Sequence, residues 1–251
     1  MSASDASPLL RAGLLDGVAV VLARASPPVA TAEGYSPGAA IAETCVDLGA
    51  HVFACPVSFD PQLEIDEDAL EHEAQAVGDR ARASAAGTVM LAVDGASLFA
   101  HGHAHVDGDA PAESARRGLR VCLAASWIVT RAVAASAFLP DGQGGRIVYV
   151  APSAVGEYAD AARAGLENLA RTLSIEWARH AITTVAIAPP GGARRAAGGG
   201  ASVDRVHGGE TCRVEVAAGE VAMLTAYLAS PAGAYFSGCL LDLRGPAGPS
   251  I

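Results

Sequence analysis

Lysine is missing. All 17 basic residues of this 251-residue chain are arginine, and a guanidinium stays charged and does not shift its pKa readily. Chemistry that needs a tunable amine is therefore excluded. Basic charge is scarce as well, because 27 acidic residues outnumber it and leave a net charge of −10 with a pI of about 5.1. That argues against nucleic acid or an anionic membrane as partner. Cysteine is sparse: the five, at 45, 55, 122, 212 and 239, are odd in number and include no CxxC spacing. Reduced thiols in a cytoplasm are the expectation. No apolar run approaches the roughly 18 residues of a membrane span. The opening residues MSASDASPLLRAG are small and polar, and predict no signal peptide. What the chain does have is apolar bulk. With 51% hydrophobic residues, this length suits one α/β domain with a full-sized core.

The most legible stretch lies between Arg146 and Gly191. Ile147, Val148 and Val150 form a short apolar run bounded by Gly144-Gly145 and Pro152-Ser153, which reads as a strand. Leu166, Leu169, Ala170, Leu173 and Trp177 then recur at helical spacing, one stripe on a helix of about six turns. Ile182 to Ile187 is a second apolar run, stopped by Pro189-Pro190. Strand, helix and strand of this length predict a right-handed βαβ unit in a parallel sheet.

The same residues carry a resemblance. The segment AGLENLARTLSIEWARHAITTVAIAPPG resembles the late helix and strand of the short-chain dehydrogenase/reductase family. Further landmarks recur in order: Leu15 to Val21 resembles its first strand, and Gly38 to Ala42 with Leu48 to Val52 its first helix and second strand. Val129 to Val133 resembles its long interface helix, and Gly219 to Ser230 with Ser237 to Asp242 its closing helix and strand. The resemblance implies a doubly wound parallel sheet of Rossmann type, one three-layer α/β/α domain over residues 1–251. Residues 1–13 are expected as a flexible tail, and 193–210 as a mobile loop in place of the substrate lid. Tyr227, Tyr235 and Phe236 stand where family members bury a dimer contact, so a homo- or hetero-oligomer is implied.

The positions that carry the family's chemistry differ. A dinucleotide fold turns its first strand through glycines, so that backbone N–H groups and a helix N-terminus meet the pyrophosphate. Here Leu22-Ala23 replaces the family's Thr-Gly, a long connection from Arg24 through Glu33 to Ser36 and Pro37 follows, and only Gly38 matches. Pro56 stands where an acid or base would read the ribose. A single helix, Asp66 to Ala83, precedes the strand Thr88 to Val93, where the family fits two helices and a strand. One α/β layer is therefore expected to be trimmed on the adenine side. Val93-Asp94-Gly95-Ala96 replaces its Asn-Asn-Ala-Gly. Positions that would meet a cofactor are Ala23, Arg24, Ser36, Gly38, Asp94, Gly95 and Pro189. The expectation is no cofactor, with NAD or NADP if the turn is still competent.

His101, His103 and His105, with Asp107 and Asp109 nearby, would share a face in an extended chain. Glycine-rich loops with several histidines are more often solvated, so a loop and no metal is the reading. Arg194 and Arg195 read as solvated loop charges, with an acidic phosphopantetheine or coenzyme A phosphate as the alternative.

The resembled family pairs a tyrosine with a lysine four residues on, on one helix face, where the lysine lowers the tyrosine pKa and an upstream serine holds the substrate oxygen. Aligned through Ala164-Gly165-Leu166, the lysine position is Arg163, the tyrosine position is Ala159, and Cys122 takes the place of an asparagine. Tyr158 lies one residue early, roughly 140° from Arg163 around a helix. Ser153, Tyr158, Arg163 and Cys122 are thus the catalytic candidates. Cys122, in an apolar helix from Ala112 to Phe138, reads as core. Halohydrin dehalogenases, relatives that replace lysine by arginine, keep a tyrosine where Ala159 stands. The sequence reading is a chain that has lost nicotinamide-dependent oxidoreduction and serves as a non-catalytic subunit, paired with an active paralogue on acyl-CoA-type 3-hydroxy or 3-oxo compounds. The alternatives are an unorthodox oxidoreductase using Ser153, Tyr158 and Arg163, and a metabolite-binding sensor or halohydrin-dehalogenase-like enzyme.

Overall fold

A computed structural model describes residues 10–26, 37–58, 65–85, 87–103, 110–140, 142–153, 156–189 and 208–243, with the backbone alone for 208–217. The chain runs β1 (Ala19–Ala25), α1 (Pro37–Asp47), β2 (His51–Val57), α2 (Glu67–Ser84), β3 (Val89–Asp94), α3 (Gly95–Gly102) and α4 (Pro111–Val133). It continues through a π-helical turn (Ala134–Phe138), β4 (Gly145–Val150), α5 (Glu157–Glu176), β5 (Ile182–Ala188), α6 (Gly208–Ala229), a 3-10 turn (Pro231–Tyr235) and β6 (Cys239–Asp242). All pairings are parallel, in the order β2-β1-β3-β4-β5-β6. The direction of winding reverses between β1 and β3, and in such sheets ligands bind at the carboxyl ends of the strands beside that reversal.

Burial explains the strand chemistry. Every residue of β3 is buried, as are six of the seven in β1, so these strands read as continuous apolar runs covered on both faces. On one face, α2, α4 and α5 close a core that includes Val77, Val129 and Leu166. On the other, α1 and α6 close a second core with Ile41, Cys45, Val221 and Ala226. The stripe predicted on α5 is there: Leu166, Ala170 and Leu173 are buried, and Leu169 and Trp177 pack at its edge. β2 lies at the sheet margin, and among the described residues α2 is the sole helix before β3, as the short spacing predicted.

Several boundaries differ from expectation. β1 begins four residues later than the first-strand resemblance placed it, because Leu15 is buried in a turn whose N–H donates to the Leu48 carbonyl (2.9 Å). The expected tail 1–13 is tied down from residue 10: Leu10 packs on the second core and Leu14 N–H reaches Arg11 O (3.1 Å), while 1–9 lie outside the described residues. α6 starts at Gly208, so 208–210 are helical rather than loop, and 193–207 lie outside the described residues. The segment Pro111–Phe138, 28 residues, contains an 18-residue window of mean hydropathy 1.6 and is by length and composition long and apolar enough to cross a membrane, contrary to the sequence expectation. It is 72% buried over that window, which makes it a core helix of this fold.

Candidate active site and cofactor crevice

The crevice at the reversal between β1 and β3 is crossed by the chain's own hydrogen bonds. β1 pairs with β3 only as far as Ala23–Val93, but stays paired with β2 through Arg24–Pro56 and Ala25–Val57. It thus continues straight where a dinucleotide fold turns. The Ala25 N–H donates to Ser97 Oγ at 3.1 Å. Ser97 in turn donates its N–H to Asp94 Oδ1 and its hydroxyl to the Asp94 carbonyl, both at 3.0 Å. Asp94 Oδ2 accepts from the Gly38 N–H at 3.0 Å. One buried carboxyl therefore caps α3 and meets the first turn of α1 at the same time. A Cβ at Gly38 would stand 2.6 Å from Asp94 Oδ2, so only glycine lets the two approach.

Burial pushes the Asp94 carboxyl above the usual carboxylate range. The N–H groups of Ser97 and Gly38, the Ser97 hydroxyl and the Arg24 guanidinium pull it back without cancelling that rise. Arg24 extends past Gly38, its Cδ 3.5 Å from where a Cβ would be. Ala23 is a buried strand residue. A Cβ on Gly95 would be 2.7 Å from the Val150 carbonyl and 2.8 Å from Leu166 Cδ1, so this glycine permits close packing. Pro189 is buried just beyond β5, and Ser36 lies outside the described residues. Among the described residues, the Gly38 amide that would face a pyrophosphate is already bonded to Asp94, and Pro56 offers no group for a ribose; residues 27–36 of the turn lie outside the described residues.

The reaction-centre candidates also diverge. Ser153 is buried at the end of β4, and Arg163 donates from Nη2 to the neighbouring Pro152 carbonyl (3.0 Å) and from Nη1 to Asp160. The Arg163 guanidinium is thus held beside the serine by backbone and carboxylate. Tyr158 goes elsewhere. It lies near Arg116 on α4, and this neighbour raises the Arg116 pKa. Ala159, at the position aligned with the family's acid, is 3% exposed within the first core. Cys122 is fully buried and donates from Sγ to the Gly95 carbonyl (3.4 Å). Burial, and then the nearby Asp94, push its thiol far up, so it packs and does not react.

The histidine reading needs correction. His101 is inside α3 and buried, and His103 is the exposed residue that ends the helix. Helical geometry sends the two to different sides, where an extended chain would align them. His105, Asp107, Asp109, Arg194 and Arg195 lie outside the described residues. No group of three metal-capable side chains occurs among the described residues. Sequence reasoning missed α3 altogether, although Asp94 three residues before Ser97 is an N-cap signal. It also missed the Arg116 neighbour of Tyr158.

A family model described as enoyl-(acyl carrier protein) reductase matches residues 31–243. Nothing among curated proteins matches the chain. Among solved structures, a hydroxysteroid dehydrogenase from Escherichia coli is similar at 20% identity and TM-score 0.60, covering 94% of this chain and 99% of that one. A short chain dehydrogenase from Mycobacterium smegmatis is similar at 21% identity and TM-score 0.62, covering 94% and 95%. A citronellol catabolism dehydrogenase from Pseudomonas aeruginosa PAO1 is similar at 22% identity and TM-score 0.59, covering 93% and 96%. These likenesses carry the fold, and the family match carries membership. The chain belongs to the short-chain dehydrogenase/reductase superfamily.

Proposed function

We propose that this chain has left nicotinamide-dependent chemistry and works as a non-catalytic subunit, alongside an active dehydrogenase of the same superfamily. The observation that carries the reading is the pairing of positions 158 and 159. The aligned acid is a core alanine, and the adjacent Tyr158 lies near Arg116 on α4. The bonded α1 amide supports it further. The matched family's description names an enoyl-(acyl carrier protein) reductase, which supports acyl thioesters as the partner's substrate class; the 3-hydroxy or 3-oxo compounds are part of the proposal. The test is titration of the purified chain with NADH and NADPH, read by nicotinamide fluorescence and thermal shift. No binding is expected; micromolar affinity for either nucleotide refutes the reading. Co-expression with the candidate dehydrogenase should give a stable mixed oligomer whose activity depends on this chain.

A second reading has one observation behind it. Arg163 holds a positive charge beside buried Ser153, and such a pair can polarise a carbonyl oxygen. Under it, reduction of a 3-oxoacyl thioester with NADPH supplied as the hydride donor would be measurable, and Arg163→Met would abolish it. Under the first reading that substitution leaves a background rate unchanged.

A further inference from the structure

In a dinucleotide-binding sheet, the free amides at the start of the first helix are the chemistry that receives a phosphate. Here the corresponding amide has a partner from within the chain. Gly38 N–H meets Asp94 Oδ2, Ser97 N–H meets Asp94 Oδ1, and Ala25 N–H meets Ser97 Oγ. Asp94 is 0% exposed, so no solvent path reaches its carboxyl. Each oxygen receives a backbone N–H, which is the pattern an anion makes at a helix start. The groups around it are Arg24 from β1, Ser97 from α3, Gly38 from α1 and Cys122 from α4. Arg24 is the cation among them.

We propose that Asp94 is the residue that closes this crevice to phosphate-bearing cofactors, its carboxyl group standing in for a ligand phosphate at the start of α1. A dinucleotide entering here must displace a buried group that bridges two helices, and it must bring a second anion beside the first. Like charges at such distances repel strongly in a poorly solvated site. The same contact supplies what the fold would otherwise take from a bound phosphate, an acceptor for the first turn of α1. The Gly38 amide is satisfied without a ligand.

This inference deepens the reading of a chain without nicotinamide chemistry, and the two fail separately. Asp94→Ser retains a good cap for Ser97 while removing the charge and freeing the Gly38 amide. Asp94→Asn removes the charge and keeps the bulk. ADP-ribose and NADH are titrated by calorimetry against the parent chain and both variants, with circular dichroism and melting as fold controls. The expected order is Asp94→Ser tightest, by about tenfold or more over the parent chain, with Asp94→Asn between them. If the parent chain and Asp94→Ser are equally without affinity, the inference about Asp94 is overturned and the functional reading stands. If the parent chain binds as tightly as Asp94→Ser in the micromolar range, both are overturned. Should Asp94→Ser fail to fold, the parent chain carries the test by amide NMR. Millimolar pyrophosphate is expected to leave the Gly38 and Ser97 signals in place, and a saturable shift of either overturns the proposal.

Discussion

Arg146→Met removes a cap that the sequence gives no hint of. Arg146 lies on β4, and its Nη1 donates to the carbonyls of Leu228 (3.2 Å), Ala229 and Ser230, at the carboxyl end of α6. The Leu228 and Ala229 carbonyls have no partner within the helix, while Ser230 O, just beyond it, also accepts the Gly233 N–H (2.9 Å); a cation there also opposes the negative end of the helix dipole. Burial lowers the Arg146 pKa, but the group remains charged at any ordinary pH. A hydrogen bond from a charged donor contributes about 1.5–3 kcal/mol net, and the dipole about 0.3–1 kcal/mol. The guanidinium is only half-buried, so water re-solvates part of what is lost. A loss of about 2 kcal/mol follows, or about 4–8 °C in Tm for a domain of this size. Methionine keeps the apolar stem, so packing is little changed. Thermal melting followed by circular dichroism gives the magnitude. Amide exchange in the last turn of α6 should quicken before the rest of the fold. Arg146→Lys, which keeps charge but not the fork, should fall between. A Tm within a degree of the parent chain, with unchanged exchange at Leu228 to Ser230, would refute the cap.

Three further outcomes follow from the same geometry. Thr130 Oγ1 and Tyr149 Oη share a buried hydrogen bond of 2.8 Å, so Tyr149→Phe should cost about 1–3 kcal/mol by stranding the threonine hydroxyl. Thr130→Val/Tyr149→Phe should recover most of that, and urea titrations showing strict additivity would contradict it. Ala181 is held at φ 56° after the turn Ala178–His180. Ala181→Gly relieves about 1–2 kcal/mol and gives back about 0.4–1 through the unfolded chain, so melting should rise by a degree or two, and a fall would refute it. The Asp94 pKa is raised in the folded state, so its favourable contribution is fully present below the unfolded value of about 3.9 and is lost as pH rises through the higher folded value. Urea titrations across acidic pH should show that slope in the parent chain and not in Asp94→Asn; equal slopes would sink the assignment.

Much of the architecture was legible because it repeats locally. The stripe at Leu166, Ala170 and Leu173 sits on α5 as its period requires, and the apolar run from Ile182 is β5. The single helix between β2 and β3 was readable from spacing alone. Less was visible in the crevice. Asp94 matters only because β3, α1 and α3 converge, and residues 38 and 94 meet through folding rather than through any period. The first-strand resemblance misplaced β1, since Leu15 is apolar for the sake of a buried turn.

The order of side chains along this chain sufficed for a parallel sheet wrapped by helices, which follows from periodicity acting over neighbours, and for the absence of lysine; that alanine holds the acid position came from the resemblance. Where Tyr158 points, what Arg146 caps and which anion sits at the start of α1 depend on residues 42, more than 80 and 56 positions apart. Such contacts are set by how helices pack on the sheet, and no linear pattern encodes that distance.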